Sequence, residues 1–214
     1  MMSNLLKKFL AIIGLATIAS LANAQTAQTP PDELVRTVSQ GVLDEIKADR
    51  TLQATGNLER LNALVDKRVM PYVNFQRMTA LAVGRNWRTA TPDQQAALQT
   101  EFRRLLLLTY ADAVRQVTDT TIQVRPMRSA PTDEEVIVRT QVLRPGKEPI
   151  QLDYRLQKTP AGWKIFDLNI LGLWLIEHYR NQFAQVVGAS GIDGLIKSLK
   201  EKNQSLAQTA TAQR

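Results

Sequence analysis

The sequence predicts an α+β domain in which helices pack on a curved four-stranded antiparallel sheet and enclose an apolar cleft. Three observations carry this. Apolar residues recur at helical spacing from Leu34 to Val117, the pattern switches to strict alternation between Ile122 and Phe166, and helical spacing returns after Gly172. Short, turn-rich connections between the alternating runs make the strands antiparallel, with one apolar face to be covered.

Each element has a local cause. Pro30-Pro31-Asp32-Glu33 opens a helix, because proline suits the first turn and acids favour its positive end. Leu34, Val35, Val38, Val42, Leu43 and Ile46 give that helix one buried face. Asn57 caps a second helix with Leu58, Leu61, Leu64 and Val65 as its stripe, and Pro71 interrupts. A third segment carries Tyr72, Phe75, Met78, Leu81 and Val83 and ends at Gly84. Thr91-Pro92-Asp93-Gln94 reads as a capping box opening a long central helix to about Thr118. The four leucines 105–108 cover every side of that helix, so most of its circumference is expected to be buried.

The strands follow. Ile122 and Val124; Val136, Val138 and Val142; Ile150, Leu152, Tyr154 and Leu156; and Trp163, Ile165 and Phe166 mark four of them. Arg144-Pro145-Gly146-Lys147 and Thr159-Pro160-Ala161-Gly162 supply the turns. Two helices are expected afterwards, one from about Gly172 to Val187 closed by Gly188, the other beginning near Gly191. Residues 203–214 are polar and aperiodic and read as a disordered tail.

At the other end, residues 1–24 have the form of a signal peptide. Lys7 and Lys8 precede a 14-residue apolar run from Phe9 to Ala22, and Ala22-Asn23-Ala24 presents small residues for cleavage. The run is shorter than the roughly 18–20 residues a spanning helix needs. Cleavage after Ala24 is expected to leave a domain over residues 25–202 and the tail, exported to the bacterial periplasm or outside the cell. It removes two lysines and lowers the net charge from +7 to +5.

Composition narrows the chemistry. The 214 residues are 44% apolar and 22% charged, ordinary for a globular chain. With no cysteine, disulfides, thiol catalysis and Cys-ligated metals are excluded. The single histidine, His178, lies in the charged stretch Glu177-His178-Tyr179-Arg180 and reads as a surface residue. Asp133-Glu134-Glu135 reads as a solvated turn, and no catalytic motif of the G-x-S-x-G, H-E-x-x-H or Walker type occurs. Basic residues are scattered, so nucleic acid is a poor partner, and anionic lipid head groups suit the modest positive charge better. The surplus is apolar: Ile170-Leu171-Gly172-Leu173-Trp174-Leu175-Ile176 fits either a buried connection or a pocket wall.

Several segments together resemble the MlaC family of periplasmic phospholipid-binding proteins, also named for toluene tolerance. They are Leu81-Ala-Val-Gly84-Arg-Asn-Trp87-Arg-Thr-Ala-Thr91-Pro-Asp-Gln94 followed by Phe102 and Tyr110, then Gly162-Trp163-Lys-Ile-Phe-Asp167, then Tyr179-Arg180-Asn-Gln-Phe183 with Gly191-Ile-Asp-Gly194-Leu195-Ile196. The match extends over about residues 30–202. The chain departs from the pattern at Gly172-Leu173-Trp174, where many members carry Gly-Val-Ser, and at Leu171, where a polar residue is common. An indole there would narrow the pocket mouth.

The resemblance implies a carrier, not an enzyme, that shuttles phospholipid between inner and outer membranes and maintains outer-membrane lipid asymmetry. It implies no cofactor, only phospholipid as cargo. It implies two docking partners for a monomer: an inner-membrane ABC transporter with an MCE-domain subunit, and an outer-membrane lipoprotein–porin complex. The candidate lining residues are Tyr72, Phe75, Met78, Phe102, Leu106, Tyr110, Val138, Val142, Leu152, Tyr154, Leu173, Trp174 and Phe183. Two alternatives remain open: a periplasmic protein-binding adaptor with a solid core, and a small-molecule enzyme with Asp153 or Asp167 turned inward.

Overall fold

The computed structural model describes residues 29–212, apart from residues 56, 116, 118 and 131. The expected signal peptide, residues 1–24, lies outside the described residues. The described residues fold as three packed groups of apolar side chains held between six helices and one sheet.

Helix α1 (Pro31–Ala48) starts at Pro30, with Asp32 and Glu33 in its first turn. A short α2 (Arg50–Thr55), not anticipated from the sequence, follows Asp49, whose carboxylate accepts the Leu52 amide at 2.9 Å. Helix α3 (Leu58–Arg68) is capped by Asn57, which accepts the Arg60 amide at 3.0 Å. Pro71 sits in a single 3-10 turn, Met70–Tyr72, and Asn74 caps α4 (Phe75–Val83). Gly84, at φ 71°, ends α4 in a conformation other residues avoid. Helix α5 (Pro92–Arg115) opens on the reciprocal box: Gln94 N–H donates to Thr91 Oγ1 at 3.2 Å, and Thr91 N–H donates to Gln94 Oε1 at 3.0 Å.

The sheet is a meander ordered β1 (Thr121–Val124), β2 (Glu135–Leu143), β3 (Ile150–Thr159), β4 (Gly162–Ile170) and β5 (Leu173–Trp174), every neighbour antiparallel. The expected four strands are therefore five. The extra strand exists because Leu171 (φ 53°) and Gly172 (φ 90°) form a two-residue turn with both central residues left-handed, which folds Leu173-Trp174 back onto Ile170 and Asn169. Asn169 Oδ1 secures the turn by accepting the Gly172 amide at 2.9 Å. A bulge at Phe166 shifts the β3–β4 register and turns the Phe166 ring into the helical cluster.

Helix α6 (Leu175–Ala212) corrects two further expectations. Its break falls at Gly191 (φ 69°, ψ −172°), not at Gly188, which stays helical. The segment 203–212, expected to be disordered, continues the helix, because Asn203 is fully buried and its amide donates to the Glu101 carbonyl at 3.0 Å and carboxylate at 2.8 Å.

Three of the four leucines of α5 divide between clusters. Leu105 and Leu106 join Phe102 against α4, α6 and β4, whereas Leu107 faces α1, α2 and α3. The third cluster lies where Leu34, Val35 and Val38 of α1 cover the apolar face of the sheet.

Candidate functional site

Cross-strand pairing fixes which residues share the apolar face. Its rows run Val136–Leu156–Ile165, Val138–Tyr154–Leu168, Val124–Thr140–Leu152–Ile170, and last Ile122–Val142–Ile150. Under α1 the face is closed: Val138 and Leu156 are fully buried, with Tyr154, Ile165 and Trp163 nearly so. Toward the end of the sheet where β2 turns into β3, the cover thins. Ile122, Val142, Ile150, Leu152 and Ile170 are only half-buried.

Leu106 and Tyr110 of α5, also half-buried, pack against the same helical cluster as Leu168 and Ile170 of β4. Leu168 links the two sides, packing against both the helical cluster and the α1–sheet cluster. The result is a continuous apolar strip from Leu106 and Tyr110 through Leu168 and Ile170 to Leu152, Val142 and Ile122. None of these side chains carries a charge, and burial alone pushes the Tyr110 phenol above its usual pKa.

The thirteen candidate residues distribute over five environments. Leu106, Tyr110, Val142 and Leu152 lie on the strip. Met78, Phe102 and Phe183 are packed solid: the Phe102 ring meets Tyr179 at 4.9 Å and Phe183 at 5.2 Å, both edge-on, and Phe75, half-buried, at 5.8 Å. Val138 and Tyr154 sit beneath α1, where the buried Tyr154 hydroxyl meets Ser39 Oγ at 3.3 Å. Tyr72 is on the surface in the 3-10 turn. Leu173, exposed, and Trp174, half-buried, line a shallow open hollow with Glu177, His178, Asn181 and Gln182. The strip also contains Ile122, Leu168 and Ile170, which the candidate set omits although their alternation along the strands marks them as face residues.

The carboxylates lie elsewhere. Asp153 accepts the Thr140 amide at 3.2 Å and the Gln151 amide group at 2.6 Å, so it braces two strands. Asp167 is fully buried and accepts from Leu168 N–H at 2.9 Å, Ile176 N–H at 3.1 Å and Arg155 Nη1 at 3.0 Å. Burial raises its pKa, opposed by the two amides and by Arg155. Because Ile176 opens α6, Asp167 acts as a cap delivered from β4. Both carboxylates are committed to holding the scaffold and do not converge on a common pocket. Among the described residues no three His, Asp or Glu side chains gather as a metal site, and no helix is long and apolar enough to cross a membrane.

Comparison with known proteins gives this geometry its context. A family model described as MlaC protein matches residues 36–201. The intermembrane phospholipid transport system binding protein MlaC of Haemophilus influenzae is 22% identical over 200 residues, covering 92% of this chain and 93% of that protein. The toluene tolerance protein ttg2D of Pseudomonas putida is 24% identical over 168 residues, covering 78% and 77%. Among solved structures, a phospholipid-binding protein from Ralstonia solanacearum, in complex with a phospholipid, is 44% identical and superposes with a TM-score of 0.81 over 84% of this chain and 99% of that one. The match spans every described element from within α1 to the second half of α6, and the chain therefore belongs to the MlaC family.

Proposed function

We propose that this protein is a periplasmic phospholipid carrier that takes acyl chains along the strip between α5 and the open end of the sheet and shuttles lipid between the inner and outer membranes. The observation that carries the reading is the uncharged apolar strip joining two clusters, in a chain 44% identical to a protein solved with a phospholipid. Binding there needs no covalent step. Each methylene withdrawn from water contributes about 0.8 kcal/mol, so two chains of about 28 methylenes carry roughly 22 kcal/mol of gross transfer energy. A soluble carrier must nearly match that burial without greatly exceeding it, or the lipid never leaves either the bilayer or the carrier. A strip of Leu, Ile and Val, with a phenol at its edge, offers the chains surroundings close to those of a bilayer interior.

In this reading Leu106, Tyr110, Val142 and Leu152 contact cargo, with Leu168, Ile170 and Ile122 beside them. Phe102, Met78, Phe183, Val138 and Tyr154 are the walls that keep the strip in shape. Lipid enters at the end of the sheet where the side chains of the strip are only half-buried. Export after Ala24 would place the carrier in the periplasm. An inner-membrane ABC transporter with an MCE-domain subunit and an outer-membrane lipoprotein–porin complex would be its docking stations, and maintaining outer-membrane lipid asymmetry its physiological role.

The decisive experiment is native mass spectrometry of the chain from Gln25, purified without detergent, beside a solvent extract. A mass increment matching one phospholipid, recovered in the extract, is the expected result. A bare mass from freshly purified, folded protein would sink constitutive loading and favour a solid-core protein-binding adaptor.

A further inference from the structure

We infer that the β4–β5 hairpin tip, Leu171 with Leu173, is a bilayer-contacting tip that seats the protein on anionic phospholipid surfaces. The inference deepens the carrier reading and rests on it for its purpose, though not for its geometry.

Among the described residues only three large apolar side chains are exposed, and two of them belong to this one turn: Leu171 at 68% and Leu173 at 62%. The tip is rigid. Leu171 N–H donates to the Gln151 carbonyl at 3.1 Å, Gly172 N–H to Asn169 Oδ1 at 2.9 Å, and Leu173-Trp174 pair with Ile170 and Asn169. It is also costly, because Leu171 is the one described non-glycine residue with positive φ, at 53°. A bulky residue held left-handed and pointing into water gains nothing from packing, so folding alone does not account for it.

Two further observations select a bilayer as the occupant. The turn between β2 and β3 lies at the same end of the sheet, because Leu143 and Ile150 flank it and Ile170 pairs with Leu152. That turn carries the half-buried Arg144 and the exposed Lys147 beside a single acid, Glu148, and the chain from Gln25 onward keeps a net charge of +5. Cationic side chains next to a small apolar tip complement an anionic head-group layer with hydrocarbon beneath. The exposed apolar tip is built on two residues, far smaller than the surface a stable protein interface buries. It also stands at the end where the apolar strip is least covered, so seating it on a bilayer brings the strip close to the lipid it would exchange.

The test is co-sedimentation of the full mature chain with vesicles of phosphatidylcholine alone or mixed with phosphatidylglycerol. Leu171→Asn with Leu173→Thr removes the apolar tip but keeps the turn, since Asn-Gly is the preferred pair for this geometry and threonine suits a strand. The wild type is expected to bind the mixed vesicles more tightly than the neutral ones. The double variant should lose roughly tenfold in affinity at unchanged melting temperature. Lys147→Glu should weaken binding to mixed vesicles only. A single label at Leu171→Cys, clean in a chain without cysteine, should shift its fluorescence to the blue on binding. Wild type that stays in the supernatant with both vesicles, or a double variant that binds as well as wild type, overturns the proposal. If vesicles are ignored yet the double variant fails to restore detergent resistance to cells lacking the protein, the tip serves a protein partner instead. Native mass spectra of the same preparations report the cargo separately, so loss of the carrier reading and loss of the tip reading are distinct results.

Discussion

The guanidinium of Arg155 lies 3.8 Å from the centre of the Trp174 indole. The same side chain donates to Asp167 at 3.0 Å and to Glu177 at 3.2 Å, so one arginine on β3 ties down β4, β5 and the first turn of α6. Arg155→Met should cost about 1–3 kcal/mol, because the buried Asp167 carboxylate would keep its amide donors and lose its cation. Arg155→Lys should recover only part of this, since an ammonium neither stacks flat on the indole nor reaches two carboxylates at once. Urea midpoints read both. Equal midpoints for the three proteins would show that the cluster contributes nothing to stability.

Asp167 also sets a pH dependence. Burial raises its folded pKa above the ordinary 3.8, so the folded state holds the proton more tightly than the unfolded one. The contribution of this group to stability is therefore greatest below pH 3.8 and is lost as pH rises through the raised folded value. Asp167→Asn keeps an acceptor for Leu168 and Ile176 and removes the titration. Subtracting the variant's unfolding free energy from that of the wild type between about pH 3.5 and 7 should give a difference that falls with increasing pH. A difference that rises would mean that Arg155 outweighs burial.

The capping box at the start of α5 was legible residue by residue, because both of its hydrogen bonds lie within four residues of chain. Thr91→Ala removes the acceptor for Gln94 N–H and should lower stability by about 1 kcal/mol. The effect is readable as a drop in melting temperature, and no change would mean that solvent replaces the hydroxyl without cost.

What the sequence left hidden was non-local. The alternation of β1 to β4 and the stripes of α1, α3 and α5 follow from periods of two and 3.6 residues, but β5 depends on Leu171 accepting a conformation its side chain disfavours. Helical continuation past Asn203 depends on Glu101, a hundred residues earlier. The site divides the same way. Apolar character picked out Leu106, Tyr110, Val142 and Leu152 together with Phe102, Met78 and Val138, and nothing local distinguishes the two sets. What distinguishes them is how completely the neighbouring elements cover each side chain, a property of packing and not of any one residue.

The sequence places the end of the first C-terminal helix at Gly188, whereas the backbone breaks at Gly191. Its φ of 69° with ψ of −172° lies in a region open to glycine alone. Gly191→Ala should therefore destabilise by about 1–3 kcal/mol, whereas Gly188→Ala, in an exposed helical turn, should be neutral or stabilising by up to about 1 kcal/mol. Gly194 is constrained differently, since a Cβ there would fall 2.0 Å from Ser190 Oγ. Thermal unfolding of Gly188→Ala and Gly191→Ala side by side separates helix propensity from backbone strain, and equal shifts would remove the break from Gly191.

The division of candidates into strip and wall is open to a paired test. Leu106→Asn and Leu152→Asn each replace a half-buried leucine on the strip. Each should reduce co-purified phospholipid several-fold or more, because a lost leucine contact withdraws about 1.5–3 kcal/mol from chain burial. Their melting temperatures should fall less, since both side chains are only partly covered in the folded protein. Phe102→Ala, by contrast, empties the centre of an aromatic stack at 0% exposure and should cost about 3–5 kcal/mol of stability, with lipid lost only in proportion to unfolding. Phosphorus assay of extracts, normalised to folded protein by circular dichroism, keeps the two effects apart. Full lipid loading in both asparagine variants would move the acyl chains off the strip, whereas full loading in Phe102→Ala alone is what a wall residue requires.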